Sequence, residues 1–547
     1  MRAWVRCAPP LLACLAVLDL FALDVWSASY APLGRDQGIF QYTAFATRAG
    51  EQLYRDIREV NGPLTHLVHR CFLALGGAET HRFRTLDWVV TLLVYAGVGA
   101  SVPRLLATGL PRWAYASLGV IVLGTQYLCY LGWDQAQRES FAMWLVLPAL
   151  VLAVRPQNTW KMHAIVGALG AAACFGKPTM GAFVPLYGLA AWGGTSARAS
   201  TRVRHVLALA AGALGGAALV LLATALWLGD PWAGLRLSFV EAPALYAELF
   251  RRSPGEIRSL PWLRVPLSSG IGVSALASLA LALGWLPRRL WPLALAPLAG
   301  LLAMFVQGKG YLYHAHPITA PAWLLVLVMF AALHARAVAA PAVEVGAPST
   351  KVLAALTSTV MVLGWCVYAR ALLIRTPAYF ARDLLHIDAE ERSPARLDRA
   401  EMHDFHPYAM ATIAAWLDAH TAKDARVQIY GTDPLVLFWA QRLGATPYLY
   451  EYDLNITHAV AGARAHGRDA TTILAMGARH GADALARLEQ HPPAAFVLFD
   501  GAPFMSEPTA LADLSLAQPA IAAFLQAHYR PLETFDGPVH LWVRSAP

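Results

Sequence analysis

Charge is what this sequence has least of. Only 14% of its 547 residues are Asp, Glu, Lys or Arg, against 57% hydrophobic, whereas soluble globular chains carry about 25% charged residues. That shortage excludes an ordinary soluble enzyme and a disordered chain alike. Lys and Arg outnumber Asp and Glu by 43 to 35, a formal charge of +8. In a chain this apolar, the excess bears on orientation in a bilayer, not on nucleic-acid binding. Cysteine is scarce: six, at 7, 14, 71, 129, 174 and 366, none in a CxxC or metal-type spacing. No disulfide framework is implied. There is no internal repeat and no long low-complexity tract. A single glycine after a strand-like run, Gly431, is too little for a nucleotide-binding loop.

What is present is a series of apolar runs. A membrane span needs roughly 20 mostly apolar residues. Candidate spans are 8–28, 86–106, 113–131, 139–154, 161–175, 178–195, 205–228, 264–285, 290–306, 317–335 and 352–373, about eleven in all. The pair 161–175 and 178–195 is short and shares a Gly-Lys-Pro break, as in a broken hairpin inside a bundle. "LLAC" at Leu11–Cys14 resembles a lipoprotein processing site, but the apolar run continues past it, so the first span is read as retained. Eighteen Trp and nineteen Tyr suit the aromatic belts of a membrane interface.

The basic residues sort by side. Arg2 and Arg6, Arg104 and Arg112, Arg155 and Lys161, Arg198, Arg202 and Arg204, Arg288 and Arg289, and Arg336 and Lys351 all fall on one face under this count. The positive-inside bias makes that face, and the N-terminus, cytoplasmic. The opposite face then holds residues 30–85, "GWDQAQRES", "FGKPT", residues 229–262, "QGKGYLYHAHP" and everything after about 374. From 400 onward the pattern changes. "RVQIYG", "AAFVLFD" and "PVHLWV" read as strands. "DPLVLFWAQRLG", "TTILAMGARHGADALARLEQ" and "AIAAFLQAHY" read as helices. The fold class expected is a polytopic α-helical membrane protein with a C-terminal soluble α/β domain. Its parts are a transmembrane domain over 1–375, a connector over 376–399 and an extracytoplasmic domain over 400–547. Residues 338–350 read as a cytoplasmic linker.

Ionisable groups beside an apolar slab mark sites or pathways. Asp36 lies just past the first span, ahead of "IFQYTAFATRAG". Two readings are open: a helix N-cap, or a general base toward a hydroxyl at the water–lipid boundary. Asp56 and Glu59 flank Arg55 and Arg58 as local ion pairs on a solvated helix would. Glu139, after Arg138, is a capping acid or a site acid. Lys177 in "FGKPT" and Lys309 in "QGKGYLYHAHP" are cations on the face where positive charge is disfavoured. With Arg138 they could clamp a phosphate, or they could snorkel to lipid headgroups. His314 and His316, beside Tyr311 and Tyr313, share a face on an extended segment. Together with a carboxylate they could hold a divalent metal, though no third ligand stands in the sequence; hydrogen bonding to a sugar or phosphate is the preferred role. Asp19 and Asp24 lie within the first span, and Arg84 with Asp87 has helix-pair spacing.

In order and sidedness, Asp36, "YRDI…NGPL", "QRES", "GKP" and "QGKGYLYHAHP" resemble bacterial glycosyltransferases of the C superfamily. The likeness is to the protein-mannosyltransferase-like branch, which includes the aminoarabinose and galacturonic acid transferases of lipopolysaccharide modification. The resemblance covers roughly residues 1–375. It implies a polyprenyl-phosphate-linked sugar as donor, transfer on the outer face with inversion, and an envelope glycan, lipid or protein as acceptor. No cofactor and no nucleic acid are implied. Carried over, Asp36 is the first-loop acidic residue, a catalytic base or acceptor-orienting group, and Lys177 and Lys309 lie near the donor phosphate, where Arg138 is expected to join them. His314 and His316 lie in the late outer loop that helps build that pocket, and Glu139, Tyr311, Tyr313 and Asp56 are expected beside them as substrate contacts. The chain departs from many relatives in having Asp36-Gln37 for Asp-Glu, and Asn61-Gly62-Pro63 for a Lys-Pro-Pro-like segment. A second function class stays open: a carrier or flippase coupled through Asp19 and Asp24, against which stands the missing repeat.

Overall fold

The computed structural model describes residues 21–106, 111–193, 199–249, 251–339, 391–397, 400–535 and 537–545. Asp19, the start of the first span, the 338–350 linker beyond Ala339, the span 352–373 and most of the 376–399 connector lie outside them. The chain divides into two compact units. One is drawn from 1–31, 81–218 and 254–388, the other from 32–80, 219–253 and 389–547, as far as these are described.

The first unit is a bundle of apolar helices. Among the described residues, five helical segments are long and apolar enough to cross a membrane: Thr80–Leu105, Ala199–Trp227, Pro261–Ala282, Arg288–Gln307 and Leu312–Arg336. Helices Arg112–Leu128, Arg138–Ala153, Trp160–Gly176 and Val184–Gly193 occupy four more of the expected spans but are shorter. Between apolar helices in lipid, water supplies no driving force, so close backbone packing must hold them. Gly99 and Gly119 provide it: a Cβ added to Gly99 would stand 2.2 Å from the Tyr115 carbonyl oxygen, and one on Gly119 2.6 Å from that of Tyr95. The buried core continues through Leu123, Tyr127, Met143, Leu147, Leu293, Leu324 and Val328. By contrast, Leu207, Leu214, Leu219 and Leu226 on Ala199–Trp227 are exposed, the surface a lipid-facing helix presents.

The helix breaks set up the loops. Thr159 caps Trp160–Gly176, its hydroxyl accepting from the Met162 N–H at 3.3 Å. Lys177 is extended, as the residue before a proline must be, and a 3₁₀ turn, Pro178–Phe183, follows. This is the break expected at Gly-Lys-Pro. Helix Trp291–Gln307 stops at Gly308, which is left-handed with φ of 66°; Gly310 has φ of 73°. The chain then makes a 3₁₀ turn over Leu312–Ala315 before the helix that begins at His316.

The second unit contains a five-stranded sheet. Its strands are β1 (Arg426–Tyr430), β2 (Leu443–Gly444), β3 (Ala495–Phe499), β4 (Tyr529–Pro531) and β5 (Val539–Arg544), in the order β2-β1-β3-β5-β4. β1 pairs parallel with β2 and β3; β5 pairs antiparallel with β3 and β4. The wholly buried β3 reads as a continuous apolar run for that reason. Helices Thr471–Gln490, Ala510–Ala517 and Pro519–His528 bury Leu488, Leu514 and Leu525 in the core that contains Phe496 and Leu498. Two expectations need correction. "DPLVLFWAQRLG" is helical only over Leu435–Ala440, because Gln441 is left-handed at φ 53° and the chain re-enters the sheet as β2. Residues 51–62 form no solvated helix. Gly50 and Tyr54 have φ of 103° and 73°, and Leu53 bridges Ile57 in a turn. Gly431, in turn, packs on Phe499, whose Cβ would stand 2.7 Å from an added methyl; close packing accounts for it.

Candidate functional site

In the first unit, the loops at 138, 177 and 309–314 meet. Arg138 and Glu139 open helix Arg138–Ala153 after the extended Gln137, and the first-turn position favours an acid. Glu139 nevertheless turns inward. It is fully buried and ion-pairs with the Lys177 ammonium. His314 Nε2 lies 3.3 Å from Lys177 Nζ and 3.6 Å from Glu139 Oε1. Arg138 donates to the Tyr313 hydroxyl at 2.8 Å and lies over its ring, with Nε 3.9 Å from Glu139 Oε2. Lys177 approaches the same ring to 5.8 Å, and Tyr311 stacks on it at 5.6 Å. Lys309, buried between its two glycines, acts electrostatically on His314 together with Lys177 and Arg138. The loop is pinned by Trp262 Nε1 donating to the Gly310 carbonyl at 3.0 Å, and by Gln307 donating to the Thr179 hydroxyl at 3.2 Å. Three cations, one carboxylate, an imidazole and two phenols thus form one largely buried cluster. His314 Nδ1 has no hydrogen-bond partner among the described residues.

His316 does not join it. The expected shared face required an extended segment, but the 3₁₀ turn runs directly into a helix, so side chains two apart point to different sides. His316 Nε2 lies 3.4 Å from the Tyr95 hydroxyl, its ring stacked on Tyr127 at 5.5 Å. The two histidines therefore share no ligand set. Among the described residues, no group of three or more His, Cys, Asp or Glu could hold a metal ion. Asp87 accepts from the Tyr127 hydroxyl at 2.8 Å, and Arg84 donates to the Ala31 carbonyl at 3.2 Å.

Asp36 belongs to the second unit. It is not the N-cap: Gly34 is, and its N–H is taken by Gln37 Oε1 at 2.7 Å, leaving Asp36 in the first turn of helix Arg35–Arg48. Gln37 thus has a capping task. Arg35 pairs with Asp433 at 2.8 Å and Asp404 at 3.1 Å, lying over Phe405. Burial works against the Arg35 charge, but Asp433 and Asp404 outweigh it and raise its pKa. Near Asp36 lies Tyr450: burial, then Glu59, Tyr452 and Asp36, push its phenol well up. Glu59 is fully buried and accepts from the Asn61 backbone at 3.0 Å. Burial also pushes the Glu451 carboxyl up to about 7, opposed by the Thr432 hydroxyl, backbone N–H groups including that of Phe504, and Arg35. Asp56 stays with its neighbours, pairing with Arg55 at 2.7 Å and accepting from the Gln52 N–H at 2.9 Å. Arg58 pairs with Asp453 at 2.8 Å and Glu241 at 3.3 Å. Arg35, Tyr450, Glu451 and Asp433 were not distinguishable in the sequence, since each acts with a partner brought near only by folding.

The fold of the chain is shared, over nearly its whole length, with solved structures. The solved structures that carry this comparison are two of ArnT from Cupriavidus metallidurans. The one bound to undecaprenyl phosphate has a TM-score of 0.54 at 15% identity, covering 98% of this chain and 98% of that one. The apo state has a TM-score of 0.53 at 14% identity, covering 98% and 99%. No protein-family model matches the chain, and no curated protein matches it in sequence. At such identity the likeness speaks for the fold; the chemistry must come from the side chains.

Proposed function

We propose that this protein is a multi-pass inner-membrane glycosyltransferase of the C superfamily. It takes a sugar from a polyprenyl-phosphate-linked donor and transfers it, with inversion, to an envelope acceptor on the extracytoplasmic face. The N-terminus is cytoplasmic and residues 400–547 form an extracytoplasmic domain. The observation that carries this reading is the buried gathering of Arg138, Lys177 and Lys309 around Tyr313 and His314, set among apolar helices. A lipid-linked phosphate needs that pairing: hydrocarbon for its tail and cations for its head. The ArnT structure with undecaprenyl phosphate supports the same ligand class here.

In the reaction, the acceptor hydroxyl oxygen attacks the anomeric carbon. The bond from that carbon to the phosphate oxygen breaks and its electron pair stays on the phosphate. Arg138, Lys177 and Lys309 stabilise that charge. Asp36 takes the hydroxyl proton as general base. Tyr311, Tyr313, His314 and Glu139 shape the donor side, while His316 and Asp56 are held by their own neighbours. Removing a general base costs about 10² to 10⁴ in rate, so Asp36→Asn is expected to abolish detectable transfer while the protein still inserts. The assay is mass spectrometry of envelope lipids and glycans from cells lacking the gene and complemented with either form. A sugar lost with the gene and restored in full by Asp36→Asn, at normal expression, would remove Asp36 from the chemistry.

A further inference from the structure

At the other end of the bundle, arginines from separate loops gather where the sequence supplies no acid. Helix Arg138–Ala153 starts at the Lys177 cluster and ends about 24 Å away at 1.5 Å per residue; Arg155 follows it. Helix Trp291–Gln307 runs the opposite way, with Arg289 before it and Lys309 after it. Arg155 and Arg289 therefore lie on the face opposite that cluster. Arg104 and Arg112 join them. Arg112 Nε donates to the Ala100 carbonyl at 3.3 Å, and Arg289 donates to the Leu105 carbonyl, beside Arg104. Burial, then the charges of Arg104 and Arg112, hold the Arg155 guanidinium below its ordinary value. No Asp or Glu occurs anywhere in 88–133, 140–229 or 257–343, the stretches that contain all four arginines.

An orientation bias asks only for basic side chains in water. It does not ask for buried guanidinium nitrogens. Yet Nε of Arg155 and Nε of Arg289 are both buried with no hydrogen-bond partner among the described residues. A buried donor left unsatisfied is costly, more so on a charged group. An anion from outside the chain would relieve both that cost and the repulsion among the guanidiniums. Arg104 and Arg112 are exposed, so the group is open on one side. Trp113, next to Arg112, is 73% exposed, and Trp285 and Trp291, on either side of Arg289, are exposed as well. Indoles at the ends of apolar helices mark the headgroup level of a bilayer. We propose that Arg104, Arg112, Arg155 and Arg289 form a site for the phosphate of an anionic phospholipid, on the membrane face opposite the Lys177 cluster. The guanidinium forks suit phosphate oxygens, and the acyl chains lie along the helices beside the exposed indoles. Basic pockets between helix ends take lipid headgroups in this way. The site is independent of the donor chemistry.

The test is thermal unfolding of the full chain in detergent, titrated with short-chain phosphatidylglycerol, phosphatidylcholine or inorganic phosphate at equal concentrations. Phosphatidylglycerol is expected to raise the unfolding temperature by at least about 3 °C, and the other two to leave it unchanged. Arg155→Gln and Arg112→Gln should each lose more than about half of that shift. Without anionic lipid, Arg155→Gln should be at least as stable as wild type, because it removes repulsion and a buried charge. A merely structural arginine predicts the reverse: lower stability in every condition and an undiminished lipid shift. Arg204→Gln, on the same face and exposed over Trp160, should keep the wild-type response. An equal loss of response in Arg204→Gln would show a diffuse positive surface and overturn the site. No shift with phosphatidylglycerol would overturn it too. A shift of the same size with inorganic phosphate would assign the arginines to a free anion and overturn the lipid.

Discussion

Lys177→Ala tests the central pair directly. The substitution deletes the ammonium that faces Glu139, a carboxylate with no exposed surface, from a side chain only 13% exposed itself. Two unit charges about 4 Å apart attract by about 4 kcal/mol at an effective dielectric constant near 20. Removing one member of a buried pair costs about 3–5 kcal/mol, mostly because the other charge is stranded. Here His314 at 3.6 Å and Arg138 at 3.9 Å can still reach Glu139, so the lower end applies, about 3 kcal/mol. Adding Glu139→Gln to Lys177→Ala removes the stranded charge and should recover most of that loss. It cannot recover donor binding, because the cation is still missing. The assay is unfolding of the detergent-solubilised protein, as a four-member double-mutant cycle, with donor-analogue binding measured on the same samples. A Lys177→Ala protein as stable as wild type, or a double variant no more stable than Lys177→Ala, would show that the pair is not desolvated and that the charge argument is wrong.

Glu451 gives a pH prediction. Its carboxyl is raised from 4.5 to about 7 by burial. The protonated form is the one the fold favours, so its contribution is full below about pH 4.5 and is lost as pH rises through about 7, amounting to about 3 kcal/mol by pH 8. Glu451→Gln should therefore flatten the melting temperature between pH 5 and 8 and raise it at pH 8; curves parallel to wild type would refute the assignment. Gly99→Ala should destabilise by about 1–3 kcal/mol, since its methyl meets the Tyr115 backbone at 2.2 Å; thermal unfolding in detergent measures it, and an unchanged protein would mean the two helices do not touch there.

Much of the helical framework was legible because an apolar run needs no partner to be recognised. The same holds for β1, β3 and β5, whose buried sequences carry their own signal. β2 and β4 have two and three residues, too few for any period, and they exist only because a neighbouring strand offers a ladder. The clamp was half legible. Lys177 and Lys309 stood out as cations on the wrong face, but Glu139 looked like a capping acid because a sequence shows the helix start and not the side chain's inward turn. The His314–His316 pairing misled for a local reason: spacing of two shares a face in a strand and separates in a helix, and Gly308 and Gly310 gave no warning of the 3₁₀ turn after them. Arg35 with Asp433 lay beyond reach, the partners being 398 positions apart.

The distribution of charge carries a further argument about mechanism. In the bundle, the buried acid Glu139 is paired with Lys177, and Arg138 and Lys309 lie in the same cluster around His314. In the second unit the buried groups near Asp36 are Glu59 and Tyr450, and the nearby guanidinium of Arg35 is already engaged by Asp433 and Asp404. The residues proposed for the donor phosphate are thus mainly cations gathered around phenols, while the proposed base has an acid and a phenol nearby and Arg35 is committed to Asp433 and Asp404.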